Sequence, residues 1–158
     1  MVILEDSRQQ VGKHNNVHAF CDQYGIRIIR TKLLVGDYTL PTDQRVCVDT
    51  KYGMGEVYTD MVTDHARFHR EYALAAELGI ELVFLIEDVS LKSVDEVHTW
   101  HNPLADKYER GLIKSKPRGS DALQRQMETV ASRYGVRWLF CRPQDTGLAV
   151  VNILTGGE

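Results

Sequence analysis

Asp37, Asp49 and Lys51 carry the most reactive combination of side chains in this chain of 158 residues. Arg45-Val46-Cys47-Val48-Asp49-Thr50-Lys51 reads as a β-strand, and residues two apart on a strand share a face. Asp49 and Lys51 therefore point the same way. Asp37 opens a second extended stretch, Gly36-Asp37-Tyr38-Thr39-Leu40, and Pro41-Thr42-Asp43-Gln44 between the two is a good turn. The pair reads as a hairpin that brings both carboxylates to one point with an ammonium beside them. Converging carboxylates repel unless a cation lies between them. A hard dication, Mg²⁺ or Mn²⁺, takes oxygen ligands and leaves positions open for water and phosphate. Such an ion stabilises charge on a phosphodiester and acidifies a water, and Lys51 would orient that water or neutralise developing negative charge. The spacing is equally that of a surface hairpin with a cross-strand salt bridge.

The elements that must position this hairpin alternate between strand and helix. Val2-Ile3-Leu4 is a short buried strand ending at Glu5-Asp6-Ser7. Val17, Phe20, Cys21 and Tyr24 recur at helical spacing before Gly25, and Ile26 to Thr31 forms a second strand. After the hairpin, the pattern predicts one long helix from Glu56 to Leu78, stopped by Gly79, with Val57, Met61, Phe68, Tyr72 and Ala75 on its apolar side. Leu82 to Ile86 is apolar throughout, as in a strand buried on both faces. Ser120 caps a helix bearing Leu123, Met127, Val130 and Tyr134. Gly135 stops it, Val136 to Cys141 is a strand, and Thr146 to Leu154 is a last helix. Alternation of this kind predicts the α/β class and a single domain over 1–158. Residues 88–119 break the rhythm and read as a loop-rich insertion, in which Ser93-Val94-Asp95-Glu96 resembles a capping box.

Composition narrows the classes. The chain is 43% hydrophobic and 26% charged, which excludes disordered, collagen-like and low-complexity proteins. Nineteen Lys and Arg against 22 Asp and Glu leave a net charge of −3, so nucleic-acid binding would need a local patch. Three widely spaced cysteines, Cys21, Cys47 and Cys141, form no CxxC and suit a reducing compartment. The start of the chain turns acidic after four residues, unlike a signal or transit peptide, and no apolar run approaches the ~18 residues of a membrane span. The expectation is a soluble cytoplasmic protein with no membrane partner.

The motifs in order resemble the nuclease domain of XPF-type structure-specific endonucleases, within the PD-(D/E)xK superfamily. Asp6-Ser7-Arg8-Gln9 stands where the family has Asp-Ser-Arg-Glu after its first strand. Gly36-Asp37-Tyr38 matches Gly-Asp-Tyr, and Val48-Asp49-Thr50-Lys51 matches Val-Glu-Arg-Lys. Asp60 and Arg67 match an Asp and an Arg of the following helix, and Leu85-Ile86-Glu87 a strand ending in Leu-Ile-Glu. Arg137-Trp138-Leu139-Phe140-Cys141 between helices matches the distal part. The resemblance spans about residues 1–87 and 120–154.

That resemblance implies a restriction-endonuclease-like mixed sheet flanked by helices. It implies a Mg²⁺- or Mn²⁺-dependent DNA endonuclease, acting on branched or flapped DNA, with Asp37 and Asp49 as metal ligands and Lys51 as the catalytic lysine. Asp6 would be a further acidic member, while Arg8 and Arg67 would hold phosphate. Asp49 replaces the usual Glu, Thr50 the usual Arg and Gln9 the usual Glu. Relatives pair through this domain, so a homodimer is expected. Many continue into a tandem helix-hairpin-helix domain, which is not expected here; a bare domain suits a microbial or phage setting. Lys114, Lys116 and Arg118, in a basic stretch of the insertion, are expected to contact the DNA backbone. The rival reading is a catalytically inactive subunit that binds DNA or stabilises a partner. A hydrolase of a small phosphoester is a third.

Other signals are weaker. Asp60, Asp64, Arg67 and Glu71 make one polar stripe on the predicted helix, which is either a cleft wall or a solvated face of i,i+3 and i,i+4 pairs. His65 and His69 have zinc-ligand spacing without the intervening Glu of a metalloprotease, and no Walker motif is present. Cys21 and Cys47 fall in core patterns. Tyr38 and Trp138 read as packing residues, with base stacking and a dimer face as their respective alternatives.

Overall fold

The computed structural model describes residues 1–157. One sheet of six strands organises them: β1 (Val2–Asp6), β2 (Arg27–Thr31), β3 (Tyr38–Thr39), β4 (Val46–Lys51), β5 (Glu81–Glu87) and β6 (Arg137–Cys141). Their order across the sheet is β2-β1-β3-β4-β5-β6. β3 runs antiparallel to both of its neighbours, whereas β1–β2, β4–β5 and β5–β6 are parallel. The sheet is therefore mixed. β5, covered on both faces, is buried from Leu82 to Ile86, as its unbroken apolar run demands.

Helices cover both faces. On one side lie α1 (Asn15–Gln23) and α6 (Thr146–Thr155), packed over Ile3, Tyr38, Val48 and Leu85. Gly147 lets these two helices touch, since a Cβ there would run into that of Phe20. On the other side α2 (Met54–Tyr58), α3 (His65–Glu77) and α5 (Ser120–Tyr134) bury Cys47, Phe84, Ile86 and Trp138. The Trp138 indole stacks on Phe84 with ring centroids 4.6 Å apart and donates to the Met127 carbonyl at 2.9 Å, so it is a core residue. Cys21 and Cys47 are core residues too.

The predicted long helix is broken. Its apolar spacing is present, but a π turn at Thr59–Thr63 separates α2 from α3. The wider π turn adds a residue and rotates α3 relative to α2, so Asp60 and Met61 are both buried inside it. Apolar periodicity does not register one extra residue, so the break was illegible. Residues 88–119 are also more ordered than a loop-rich insertion. They contain a 3₁₀ helix, Val94–Thr99, and α4 (Pro103–Glu109). No capping box forms there: Ser93 makes no side-chain cap, and Glu96 accepts from the Lys92 N–H at 2.8 Å instead. Ser120 does not cap α5 either. Gly119 holds that position, and the Ser120 hydroxyl donates to the Trp100 carbonyl at 2.5 Å, tying α5 to the insertion.

Candidate active site

The β3–β4 hairpin forms as the turn and alternation require. Tyr38 pairs with Val48 and Thr39 with Cys47. Gly36 makes the entry possible. It has φ +71°, and a Cβ there would lie 3.1 Å from the Val48 carbonyl oxygen and 3.2 Å from the Cys47 Cβ. Its N–H donates to Glu71 Oε1 at 2.9 Å, so α3 holds the hairpin at its hinge. Asp37 is then fixed by its backbone. Its N–H donates to the Val48 carbonyl and its carbonyl accepts from Asp6 N–H, both at 2.8 Å.

Alternation along β4 decides the rest. Asp49 and Lys51 face α3, on the same side as Cys47, while Thr50 faces α1. The Lys51 ammonium lies 2.9 Å from Asp49 Oδ1 and 2.8 Å from Asp60 Oδ2. Asp60 Oδ2 makes no hydrogen bond at an acceptable angle, so that contact is one of charge. All three residues are at most 6% exposed. Burial pulls the lysine toward deprotonation, but the two carboxylates outweigh it and hold the ammonium above its ordinary pKa. Lys51 is therefore a permanent cation at neutral pH. Burial pushes Asp49 well above the usual carboxylate range; Lys51 opposes this, and the charge of Asp37 adds to it.

Asp37 is held differently. Its Oδ2 accepts from the Thr50 N–H and the Thr50 hydroxyl, each at 2.8 Å. Its Oδ1 accepts from the Gln9 side-chain amide. Burial still dominates and pushes Asp37 up to about 6, against the pull of the Thr50 hydrogen bonds and the Lys51 charge. Behind Thr50 stands His14, with Nδ1 3.0 Å from the Thr50 hydroxyl and Nε2 4.0 Å from Asp37 Oδ2. Burial lowers His14 to about 4, so its ring is neutral at pH 7.

An open cleft of about 530 Å³ lies over the Lys51 ion cluster. Asp49, Lys51 and Asp60 line it, as do Asp6, Gln9 and Glu71; Arg8, Lys13, Arg67 and Arg70 supply its cations. Asp37 is not part of the lining; Gln9, whose amide donates to it, is. Asp6 is buried and spends its carboxylate on structure. It accepts from Arg8 Nε at 2.8 Å and from the Leu33 N–H at 3.2 Å. Arg67 spans Asp60 at 3.1 Å and Asp64 at 3.5 Å with its side chain 63% exposed, so its guanidinium remains accessible to a phosphate.

The structure thus brings Asp6, Arg8, Arg67, Asp49 and Lys51 to one cleft, with Asp37 just behind it. It leaves Lys114, Lys116 and Arg118 outside. Those three are exposed at the entry to α5, where the Arg118 N–H donates to the Tyr58 hydroxyl at 2.9 Å. Of the polar stripe, Asp60 and Glu71 turn inward and Asp64 outward; no Arg67–Glu71 ion pair forms among the described residues. Sequence reasoning missed His14, Gln9 and Lys13 as members of the site. Gln9 and Thr50 were legible only as departures from the family pattern. His65 and His69 stack on each other, and His69 Nε2 lies 2.9 Å from the Tyr134 hydroxyl. Tyr38 is fully buried, its hydroxyl donating to Glu5 at 3.0 Å.

Among the described residues no three His, Cys, Asp or Glu side chains converge as metal ligands. Of the two expected ligands, Asp49 lines the cleft beside Lys51, whereas both Asp37 oxygens accept hydrogen bonds from Thr50 and Gln9. Both carboxylates are buried, and burial is the largest cause raising each, with the Lys51 charge opposing it. Mg²⁺ asks for few protein oxygens, its other positions going to water and phosphate.

No family model and no curated protein matches the chain. Solved structures do. XPF from Aeropyrum pernix matches with a TM-score of 0.65 at 15% identity, over 98% of this chain and 63% of that one. The same protein in complex with DNA matches with the same TM-score, identity and coverage. The chain thus spans about 63% of the length of these two structures. The resemblance read from short motifs holds in three dimensions: the chain has the mixed-sheet fold of XPF.

Proposed function

We propose that this chain is a metal-dependent DNA endonuclease that hydrolyses phosphodiesters in branched or flapped DNA. The observation that carries the reading is the Lys51 ammonium, locked between Asp49 and Asp60 at the floor of a cleft edged with arginines. Its support from comparison is the shared fold with XPF, which has been solved with DNA. Asp37 and Asp49 would hold Mg²⁺ or Mn²⁺. Such an ion, when bound, would supply Lewis acidity toward the scissile phosphate and a water.

The chain's own residues do the remainder. Lys51 stays protonated, so it acts as a fixed positive charge facing the phosphate and not as a base. Asp60 holds that ammonium in place. Arg67 and Arg8 offer guanidinium groups to the flanking phosphates. Lys13, paired with Glu56 at 3.1 Å, extends the positive edge. Lys114, Lys116 and Arg118 would add backbone contacts farther along the DNA, each phosphate neutralised adding about 0.9 to the salt slope. A homodimer would use the hollow between β6 and α6, where Leu139, Phe140, Ala149 and Ile153 sit beside Arg137 and Asn152; light scattering showing a monomer at high concentration opposes it. Three unpaired cysteines suit the cytoplasm.

The test incubates splayed, flapped, four-way and plain duplex DNA with Mg²⁺ or Mn²⁺, beside Asp37→Ala. Cleavage of branched substrates by the parent and not the variant is expected. A specific observation favours a second reading, the inactive binding subunit: Asp37 is occupied by Thr50 and Gln9 and does not line the cleft. Tight DNA binding with no cleavage by either protein establishes that reading instead.

A further inference from the structure

The insertion carries a second hollow, of about 520 Å³, away from the catalytic residues. Its wall is formed by Trp100 and Tyr108, with Asn102 between them in sequence and Lys116 and Arg118 at the α5 side. Three features of this hollow are unusual for a surface depression.

The first is Asn102. It is only 6% exposed, and its Oδ1 caps α4 by accepting from the Leu104 N–H at 3.0 Å. That bond fixes the amide, so Nδ2 must be the other end, and Nδ2 is buried with no acceptor. A buried donor without a partner is costly and rare in native proteins. It calls for an acceptor that the described residues do not provide.

The second is the aromatic pair. Tyr108 is 38% exposed on α4, and Trp100 is partly exposed with Tyr58 of α2 tilted against it at 6.1 Å. The third is charge. Lys116 makes no ion pair among the described residues, and Arg118 meets only the neutral Gln126 side chain. The acids at this edge are Glu109, and Asp106, which is already engaged by His101 at 2.9 Å.

An amide donor, exposed aromatic rings and free cations are the requirements of a nucleobase with its phosphate. Rings stack on either face of any base, the cations take the backbone, and the Asn102 amide, closed off while the hollow is empty, would turn outward to meet a base carbonyl or ring nitrogen. A paired base has its edge engaged and its faces covered. We propose that this hollow seats one base of an unpaired DNA strand, such as the single-stranded arm of a flap. The inference rests on DNA being the ligand, and it deepens that reading by assigning where the unpaired arm goes. α2 links the two places: Tyr58 borders the hollow, and the adjoining π turn carries Asp60 to Lys51.

The experiment uses the full chain in EDTA, so that no cleavage is needed. A fluorescein-labelled oligothymidylate of roughly twelve nucleotides is titrated against the parent, Tyr108→Ala and Asn102→Ser, alongside a duplex of equal length. Serine keeps the capping oxygen and withdraws the long amide. Oligonucleotide is expected to quench tryptophan fluorescence, with the quench lost in Trp100→Phe, because Trp138 is locked in the core. Both other variants are expected to bind the oligonucleotide about tenfold more weakly, the loss of one stacking or hydrogen-bonding partner. They should bind the duplex within about twofold and melt as the parent does. No quench, or unchanged oligonucleotide affinity in Tyr108→Ala, overturns the proposal. So does a loss confined to Lys116→Ala and Arg118→Ala, which would leave a backbone contact only. Should Asn102→Ser melt early, Tyr108→Ala and the quench decide alone. A chain that passes this test yet cuts nothing with Mg²⁺ loses the nuclease reading and keeps the seat.

Discussion

β4 and β5 are neighbouring parallel strands in register, with Asp49 beside Phe84, Thr50 beside Leu85 and Lys51 beside Ile86. They are buried alike, yet their contents are opposite. β5 places Phe84, Leu85 and Ile86 at those positions, and they need nothing but contact. β4 ends in Asp49, Thr50 and Lys51, each of which must be answered by another side chain: Lys51 by Asp49 and Asp60, Thr50 by Asp37 and His14. The difference separates two purposes within one sheet. An apolar strand stabilises the fold. A charged strand of equal burial works against it, because desolvation of two ions frequently exceeds their attraction. Groups held at that cost in a cleft are candidates for function.

The sharpest way to break this comparison is to neutralise β4. Asp49→Asn should reduce cleavage by about 10³-fold while leaving thermal stability equal or higher, since a buried carboxylate raised well above its ordinary pKa is removed. A cleaving Asp49→Asn would end the assignment; a strongly destabilised one would mean that the charge supports the fold. Lys51→Ala should be worse for the fold. It strands two buried carboxylates, which costs about 3–5 kcal/mol. Phe84→Ala in β5 should lose a similar amount, about 3–5 kcal/mol, by leaving a cavity against Phe68 and Trp138. Urea melts measure both. Equal losses from such different chemistry would sharpen the contrast, because only the β5 variant should retain cleavage in proportion to its folded fraction.

A smaller effect is visible in pH. Asp37 sits near 6 when folded against 3.8 ordinarily. The native state therefore holds more protons than the unfolded chain between those values, and stability falls as pH rises through them. His14 does the reverse. Its value falls from 6.5 to about 4, so the unfolded chain holds the extra proton and stability rises with pH over that window. The two slopes oppose each other between pH 4 and 6. In His14→Asn the opposing slope is gone, and stability should fall more steeply with pH than in the parent, by up to about 1.4 kcal/mol per pH unit. Identical slopes in urea melts at pH 4, 5 and 6 would show that His14 is not a neutral buried ring. Smallest of all is Arg137→Ala. Its pair with Glu81 at 2.8 Å joins the exposed starts of β5 and β6, with side chains 54% and 42% exposed, and should change stability by less than about 1 kcal/mol.

The sheet was largely legible beforehand, because strand identity rests on local pattern. Val2-Ile3-Leu4, the hairpin arms and the apolar Leu82–Ile86 run all became strands. The errors fell where a single residue or a distant partner decides the outcome. Ser93 and Ser120 looked like caps, but Glu96 turned to Lys92 and the Ser120 hydroxyl to Trp100. The helix after the hairpin looked continuous, because burial of Val57, Met61 and Phe68 survives a π turn.

The candidate site divides along the same line. Two-residue spacing on a strand was enough to place Asp49 and Lys51 together, for alternation is a property of the backbone and needs no knowledge of the rest. Asp37 could be assigned to the opposite arm for the same reason. That its carboxylate would turn to Thr50 and Gln9, that a neutral His14 would stand behind it, and that Asp60 would reach Lys51 through a π turn all depend on where α1, α2 and α3 dock. Docking is settled by packing across the whole sheet, from residues far apart in the chain, and no local pattern carries it.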